Sequence, residues 1–332
     1  MSARPKAAPC AQVVDLREIP PGSLDALLDE EVTVWRKELR WDFTASAALV
    51  QRFANMQALG GCALLVDGVV AGYSYTVSEE YKGLIGDLYV MAAYRTPELE
   101  NMLLAASVEM LVKQPGIRRI ESQVLMLDYP RRLPAIHPDH MHLHERQFLV
   151  CDLQTLPALP TGKAERILDL KVWHSRYQDN VARLIADAYG GHVDSLINDQ
   201  YLSISGARRF LHNIVEYPGC GNFDGSASFL AWRRDTQKMA GMCLASQVAY
   251  DVGHITQLCV APALRGQGVG YELLANSLRA MKELGYAQCS LTVTSANQNA
   301  IRFYEQVGFR TARHFAAIVW DHLRPPRRGY FS

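Results

Sequence analysis

The stretch Val260-Ala-Pro-Ala-Leu-Arg265-Gly266-Gln267-Gly268-Val269-Gly270 decides the reading of this chain. The apolar run Ile255 to Val260 reads as a short strand feeding a glycine loop. Beyond the loop, Val269, Leu273, Leu274, Leu278 and Met281 recur at helical spacing, and Gly285 supplies a stop. A helix that opens on glycines presents unpaired backbone N–H groups, and the positive end of its dipole, to whatever lies at its mouth. A bulky anion can approach that main chain closely only where no Cβ intervenes. The pattern predicts a phosphate or pyrophosphate guest.

Two common phosphate motifs do not fit. A nucleotide P-loop ends in Gly-Lys-Ser/Thr, and Gly270-Tyr271-Glu272 stands there instead. A Rossmann fingerprint needs its third glycine one residue later and lies near a domain start. Downstream stands Ser295-Ala-Asn297-Gln-Asn-Ala300-Ile301-Arg-Phe303-Tyr304-Glu-Gln-Val-Gly308-Phe309. Asn297, Ala300, Ile301 and Tyr304 fall at i, i+3, i+4 and i+7, so they share one helix face. Between the two blocks Cys289, Leu291 and Val293 alternate as a strand does.

Arg265-x-x-Gly268-x-Gly270 resembles the acetyl-CoA signature of the GCN5-related N-acetyltransferases (GNAT), and the Asn297–Phe309 block resembles that family's N-x-x-A-x-x-x-Y-E-x-x-G-F element. The resemblance implies an α/β fold whose mixed, mostly antiparallel sheet is flanked by helices. It also implies an acyl-CoA-dependent N-acyltransferase with acetyl-CoA, or another acyl-CoA, as cosubstrate and no metal. In this family the amine attacks the thioester directly, without an acyl-enzyme. By resemblance, Leu258 and Cys259 run beside the pantetheine arm, and the Val260 N–H serves the thioester oxygen as it becomes an oxyanion. Arg265, Gly266, Gln267, Gly268, Val269 and Gly270 hold the pyrophosphate, and Asn297 and Tyr304 complete the cofactor site. A nucleophilic reading of Cys259 has no neighbouring histidine in the sequence to support it, and a buried strand cysteine is the favoured alternative.

Tyr304 is expected to protonate the departing thiolate. Phenol and alkyl thiol references differ by about 1.5 pK units, so donation is uphill by roughly 2 kcal/mol; packing on the cofactor is the competing role. For the base, His254 lies on the strand leading to Val260, six residues earlier, and on the same face under strict alternation. Histone acetyltransferases carry a glutamate at the matching position. Arylalkylamine N-acetyltransferases carry a histidine there, in an H-x-H-x-L-A-V stretch similar to His254-Ile-Thr-Gln-Leu-Cys-Val260, although Thr256 replaces the second histidine. A structural histidine at a strand start is the alternative. Tyr189-Gly-Gly-His192-Val-Asp194, with Tyr201, is a candidate lining for the acceptor pocket, since helices 1 and 2 of this fold face the substrate. Ordinary helix packing would use the same residues.

The chain repeats itself. Gly86-Asp-Leu-Tyr-Val90-Met-Ala-Ala-Tyr-Arg95 aligns with Thr256-Gln-Leu-Cys-Val260-Ala-Pro-Ala-Leu-Arg265, and Phe148–Asp152 parallels Ala317–Asp321. The hairpin Cys62–Val66, Asp67-Gly68, Val69–Tyr75 has its counterpart in Phe229–Trp232 followed by Met239–Leu244. The copies differ where RGQGVG becomes Arg95-Thr-Pro97-Glu98-Leu-Glu100: the glycines are gone, Pro97 lacks an N–H, and two carboxylates would repel phosphate. The Asn/Tyr block is replaced by Leu127-Asp-Tyr-Pro-Arg-Arg-Leu-Pro. The expected layout is a flexible tail at 1–12, a degenerate GNAT-like domain at 13–153, a Pro157/Pro160 linker at 154–165 and a catalytic domain at 166–332. In layout alone this resembles tandem acetyltransferases such as mycothiol synthase.

Bulk properties set outer limits. With 332 residues and 49% hydrophobic content the chain can bury two cores. Its formal net charge of zero argues against nucleic acid or an anionic membrane as partner. The lack of charge bias also favours a small-molecule amine over a basic protein tail, with protein N-acetylation and a non-catalytic acyl-CoA-binding module as alternatives. The oligomeric state is left open. Seven scattered cysteines read as reduced core residues, no apolar run reaches membrane-span length, and a cytoplasmic location is expected. The dense run His137-Pro-Asp139-His140-Met-His142-Leu-His144-Glu145 lacks a compact ligand pair, and a solvated loop and strand start are favoured over a metal site. The basic Arg324–Arg328 run reads as a solvated tail.

Overall fold

A computed structural model of the chain describes residues 10–127, 130, 133, 135–217, 219 and 221–323. The Arg324–Arg328 run, Cys220, positions 1–9 of the expected tail and most of the stretch from Leu127 to Pro134 lie outside the described residues. The first half contributes strands β1 (Ala11–Asp15), β2 (Gly61–Val66), β3 (Val69–Glu79), β4 (Lys82–Val90), β5 (Arg119–Val124) and β6 (Met141–Asp152), with helices α1 (Asp25–Leu39), α2 (Thr44–Asn55) and α3 (Pro97–Val112). The second half contributes β7 (Leu168–Val172), α4 (Gln178–Ala188), α5 (Val193–Ile197), α6 (Ile204–Glu216), β8 (Asn222–Phe223), β9 (Phe229–Arg233) and β10 (Met239–Ala249). It continues through β11 (Val252–Val260), α7 (Val269–Glu283), β12 (Gln288–Thr294), α8 (Gln298–Val307) and β13 (Arg310–Trp320).

Among these residues two compact units form. Unit 1 takes 10–35, 43–144 and 315–323; unit 2 takes 36–42 and 145–314. Each sheet is mixed but mostly antiparallel. In unit 1 the order is β1-β2-β3-β4-β5-β13, with β4 and β5 parallel; in unit 2 it is β6-β12-β11-β10-β9-β7, with β11 and β12 parallel and β8 on β10. The β2–β3 hairpin turns through Asp67 (φ 49°) and Gly68 (φ 83°), the two left-handed positions that a tight two-residue hairpin needs. Both sheets are covered on two faces. In unit 2, Cys243 and Ala245 of β10 face the α7 side, while Met242 and Leu244 face α4 and α6.

The repeat reaches into packing detail. Gly83 of β4 lies under Leu111 of α3, and Gly253 of β11 lies under Met281 of α7; a Cβ would sit within 3 Å of either side chain. One relation departs from the sequence division at 154–165. The last strand of each repeat completes the other unit. β6 pairs with β12 (Cys151 opposite Cys289, Phe148 opposite Thr292), and β13 pairs with β5 (Trp320 opposite Ile120). Side chains explain why both seats are firm. Phe148, Leu149 and Cys151 are buried in unit 2. In unit 1, Trp320 is buried and its Nε1 donates to the Ile136 carbonyl at 2.8 Å, while the Arg119 guanidinium meets Asp321 at 2.6 Å. The segment Leu153 to Ala164 is docked along α7, where Tyr271 Oη donates to the Pro160 carbonyl (2.8 Å) and Arg279 Nη2 to that of Leu159 (3.2 Å).

Candidate active site

The site of unit 2 begins as a gap between two parallel strands. β11 and β12 are in register from Val252 opposite Gln288 to Ile255 opposite Leu291, and pair no further, although β11 runs on to Val260 and β12 to Thr294. The parting starts at a bulge. On β10, Leu244 faces Gln257 and Ala245 faces Ile255, so Thr256 is the extra residue, and its Oγ1 donates to the Leu244 carbonyl (3.1 Å). After the bulge the Ala261 N–H donates to the Ala240 carbonyl at 2.8 Å, across to β10. Successive N–H groups of a strand point to opposite edges, so those of Leu258 and Val260 point away from β10 and into the gap.

The bulge also corrects the expected placement of His254 on the Val260 face. Strict alternation fails at Thr256. Ile255, Leu258 and Val260 pack toward α7, whereas Cys259 belongs to the core under α4 and α6. His254 lies between the rings of Trp41 (5.0 Å, edge-on) and Phe148 (6.3 Å, stacked), with Nδ1 2.9 Å from Ser290 Oγ. It is 4% exposed. Burial, with help from the Arg146 charge, pulls its basicity down to about 3. Burial likewise pushes the Cys259 thiol far above its ordinary range, which removes the thiolate a nucleophile would need.

The glycine loop stands at the end of β11. Gly266 (φ 75°) and Gly268 (φ 86°) are left-handed, and Gly268 caps α7 without any side-chain hydrogen bond. The N–H groups of Gly266, Gly268, Val269, Gly270 and Tyr271 meet no acceptor among the described residues. A Cβ on Gly266 would face open space, and one on Gly270 would stand 3.6 Å from Val260. Here the backbone, more than the side chains, faces a guest. The Arg265 guanidinium donates to the Ala188 carbonyl at the end of α4, and Gln267 Nε2 to that of Ala263 (2.9 Å). A main chain with glycine at every second position, rich in orphan donors and next to a parted pair of strands, suits a pyrophosphate with an extended thioester arm.

The opposite wall gathers residues far apart in the sequence. Asn297 caps α8 by accepting the Ala300 N–H (3.3 Å), and its Nδ2 lies 3.3 Å from His192 Nε2. Tyr189 has its ring edge-on to His192 (5.1 Å), tilted over Tyr201 (4.6 Å), and its hydroxyl accepts from Gln257 Nε2. Asp194 accepts from Thr294 Oγ1. Half-buried Tyr304 has its phenol pushed well up by desolvation, with smaller contributions from Cys243 and Asp194 that Arg146 opposes. The hydroxyl therefore keeps its proton, but releasing it costs more than the reference values suggest. Tyr189, His192, Asp194 and Tyr201 are thus brought to Asn297 and Tyr304. Gln257, Thr294 and Arg146 were not foreseen. A signal for Gln257 existed only in the bulge, which sequence alternation hides. Among the described residues, no group of three or more His, Cys, Asp or Glu side chains could hold a metal ion, and no helix is long and apolar enough to cross a membrane.

A bulged strand, a parted parallel pair and a glycine-opened helix, set in a twice-repeated fold, define a tandem acetyltransferase-type architecture. Residues 195–309 match the acetyltransferase (GNAT) family model. A GCN5-related N-acetyltransferase from Sphaerobacter thermophilus has a similar fold, with a TM-score of 0.64 at 16% identity, covering 96% of each chain. A tandem GNAT protein from the clavulanic acid biosynthesis pathway has a TM-score of 0.54 at 14% identity, over 96% of this chain and all of that one. Mycothiol acetyltransferase of Parafrankia sp. (strain EAN1pec) is 36% identical over 78 residues, only 24% of this chain and 23% of that protein. Residues 195–309 are thus similar to the GNAT family, and the chain as a whole shares the tandem GNAT fold of these structures.

Proposed function

We propose that unit 2 transfers an acyl group from an acyl-CoA, acetyl-CoA first, directly to the amino group of a small molecule. The observation that carries this is the juxtaposition of five orphan N–H groups around Gly268 with the Val260 N–H at the strand gap. The loop from Arg265 to Gly270 would hold the pyrophosphate through its backbone, and Leu258, Cys259 and Asn297 would flank the pantetheine arm. The bound donor supplies an activated thioester. Val260 N–H is placed to donate to the thioester oxygen as charge develops, without reorganising at that moment. Tyr304, kept protonated by its surroundings, hydrogen-bonds the departing sulfur.

An amine acceptor suits a cleft that carries Asp194 among Tyr189, Tyr201 and His192, and the chain's zero net charge favours a small molecule over a basic peptide. A cytoplasmic setting belongs to the same reading, supported by the burial of Cys62, Cys151, Cys243, Cys259 and Cys289 as core residues. The test is thiol release from acetyl-CoA against a panel of small amines, peptides and buffer alone. Release that depends on a small amine is the expected result. Release only with peptides would move the acceptor to proteins, and tight acetyl-CoA binding with no release would make the chain a sensor.

A further inference from the structure

A primary alkylamine with a pKa of about 10 is protonated at neutral pH, so on the reading above a group at the cleft must take its proton before attack. His254 is sealed between Trp41 and Phe148 and does not reach the gap. A second imidazole does. We propose that His192 is the base that takes the proton of the acceptor amine.

Three features single it out. Its side chain is 26% exposed, while Nε2 stands at the opening of α8, the helix that carries Tyr304. Its position is set by its neighbours: Nδ1 lies 3.2 Å from the Asp194 backbone nitrogen and 3.7 Å from Asp194 Oδ2 at the start of α5, and the His192 N–H donates to the Tyr189 carbonyl (3.0 Å). Asn297 supplies the third feature. Its Oδ1 is committed to the Ala300 N–H, so the amide nitrogen is the atom that faces Nε2. Both ring nitrogens therefore meet N–H donors. A neutral ring can accept at one of them only, and in the tautomer with its hydrogen on Nδ1, beside the Asp194 carboxylate, the Nε2 lone pair is the one open to the cleft. The 3.3 Å contact to Asn297 is long for a hydrogen bond, and an amine entering the cleft can replace it.

Asp194 Oδ2 lies 3.7 Å from Nδ1, near enough to steady the imidazolium once formed. The groups facing the ring are Asp194 of α5, Tyr189 after α4 and Asn297 at the cap of α8; Tyr201 lies against Tyr189, and Tyr304 of α8, on which Arg146 of β6 acts, interacts with Tyr189 and Asp194. In the tautomer that carries its hydrogen on Nδ1, the ammonium gives one proton to Nε2. The free amine forms the C–N bond as the C–S bond breaks, and its second proton reaches the sulfur through the Tyr304 hydroxyl. The imidazolium then returns its proton to solvent.

The test uses the full chain with acetyl-CoA. His192→Asn offers an oxygen to cap α5 but has no basic nitrogen. With a primary alkylamine from the panel, kcat/KM should fall by about a hundredfold, within the usual range for lost base catalysis. The rising acid limb of its pH profile should disappear, and acetyl-CoA affinity should stay unchanged. With hydroxylamine, which is already neutral at the assay pH, the loss should shrink to a few-fold. A His192→Asn variant with wild-type kcat/KM and pH profile, or with the same loss for both acceptors, overturns the base assignment alone. Absence of thiol release by the wild type with every amine overturns the acyl-transfer reading and this assignment together.

Discussion

Helix α7 opens on Gly268 with no side-chain cap, whereas α3, at the matching place of the first repeat, opens on Thr96, whose hydroxyl accepts the Leu99 N–H at 3.3 Å. Pro97 then offers no N–H, and Glu100 is buried with Arg95 at 3.9 Å. One helix start lacks the first donor and satisfies those of Leu99 and Glu100 on Thr96; the other leaves five N–H groups without an acceptor among the described residues. The strands beneath them scarcely differ. β4 has the same bulge, with Gly86 extra between Asp87 and Ile85, and it pairs with β5 only from Lys82 to Ile85. The bulge turns Gln257 to Tyr189 in unit 2. In unit 1 it turns Asp87 into a closed cluster, where the Tyr73 hydroxyl lies 2.9 Å from Glu31 and 3.2 Å from Asp87. The same fold thus carries an open glycine loop in one repeat and a closed helix start in the other, because the loop is a few residues long and the sheet does not depend on them.

The strongest way to break the comparison is to separate the repeats. Deleting residues 1–160 strips β6 and Trp41 from unit 2 and leaves β13 without β5. Losing Phe148, Leu149 and Cys151 forfeits about 2 kcal/mol each, comparable in sum with a whole domain's stability. The fragment from Thr161 should aggregate. A monomeric, acetyl-CoA-binding fragment in size-exclusion and calorimetric runs would contradict the strand exchange.

Next in size is the cradle itself. Gly268→Asp places a carboxylate and a strained left-handed residue at the helix mouth. Acetyl-CoA affinity should drop by at least about a hundredfold while circular dichroism stays unchanged, and titration of the unaltered chain should give one CoA, not two. Unchanged affinity in the variant would remove the cofactor assignment; a stoichiometry of two would revive unit 1 as a binding domain.

Smaller still, Tyr304→Phe should lower kcat about ten- to a hundredfold with little change in acetyl-CoA binding. Full activity would reduce Tyr304 to a packing role.

The smallest expected effect concerns the closed cluster of unit 1. Burial first, and then each other's charge, holds Glu31 above its ordinary range, and burial does the same for Asp87. Folded carboxyls raised in this way bind protons that the unfolded chain has already released. Their contribution is complete below about pH 4 and is lost as pH rises through the folded values. Melting temperature, followed from pH 5 to pH 9, should fall by a few degrees more than in Glu31→Gln. Parallel curves for the two proteins would show that the pair does not share a proton.

Local chemistry was legible from the chain alone. The glycine cradle, the α8 face with Asn297 and Tyr304, and the missing cradle of the first repeat are set by consecutive residues, because φ, N–H supply and helix face are properties of a few adjacent positions. The grouping of Tyr189, His192, Asp194 and Tyr201 was expected only through the family resemblance, in which the first two helices face the substrate. Three things came only with tertiary structure. The bulge at Thr256 breaks the parity that placed His254 beside Val260, since one unpaired residue moves every later side chain to the other face. Trp41, distant in sequence, seals His254 away from water. The exchange of β6 and β13 is decided by which sheet edge buries Phe148 and Trp320, and no local pattern records the partner of an edge strand.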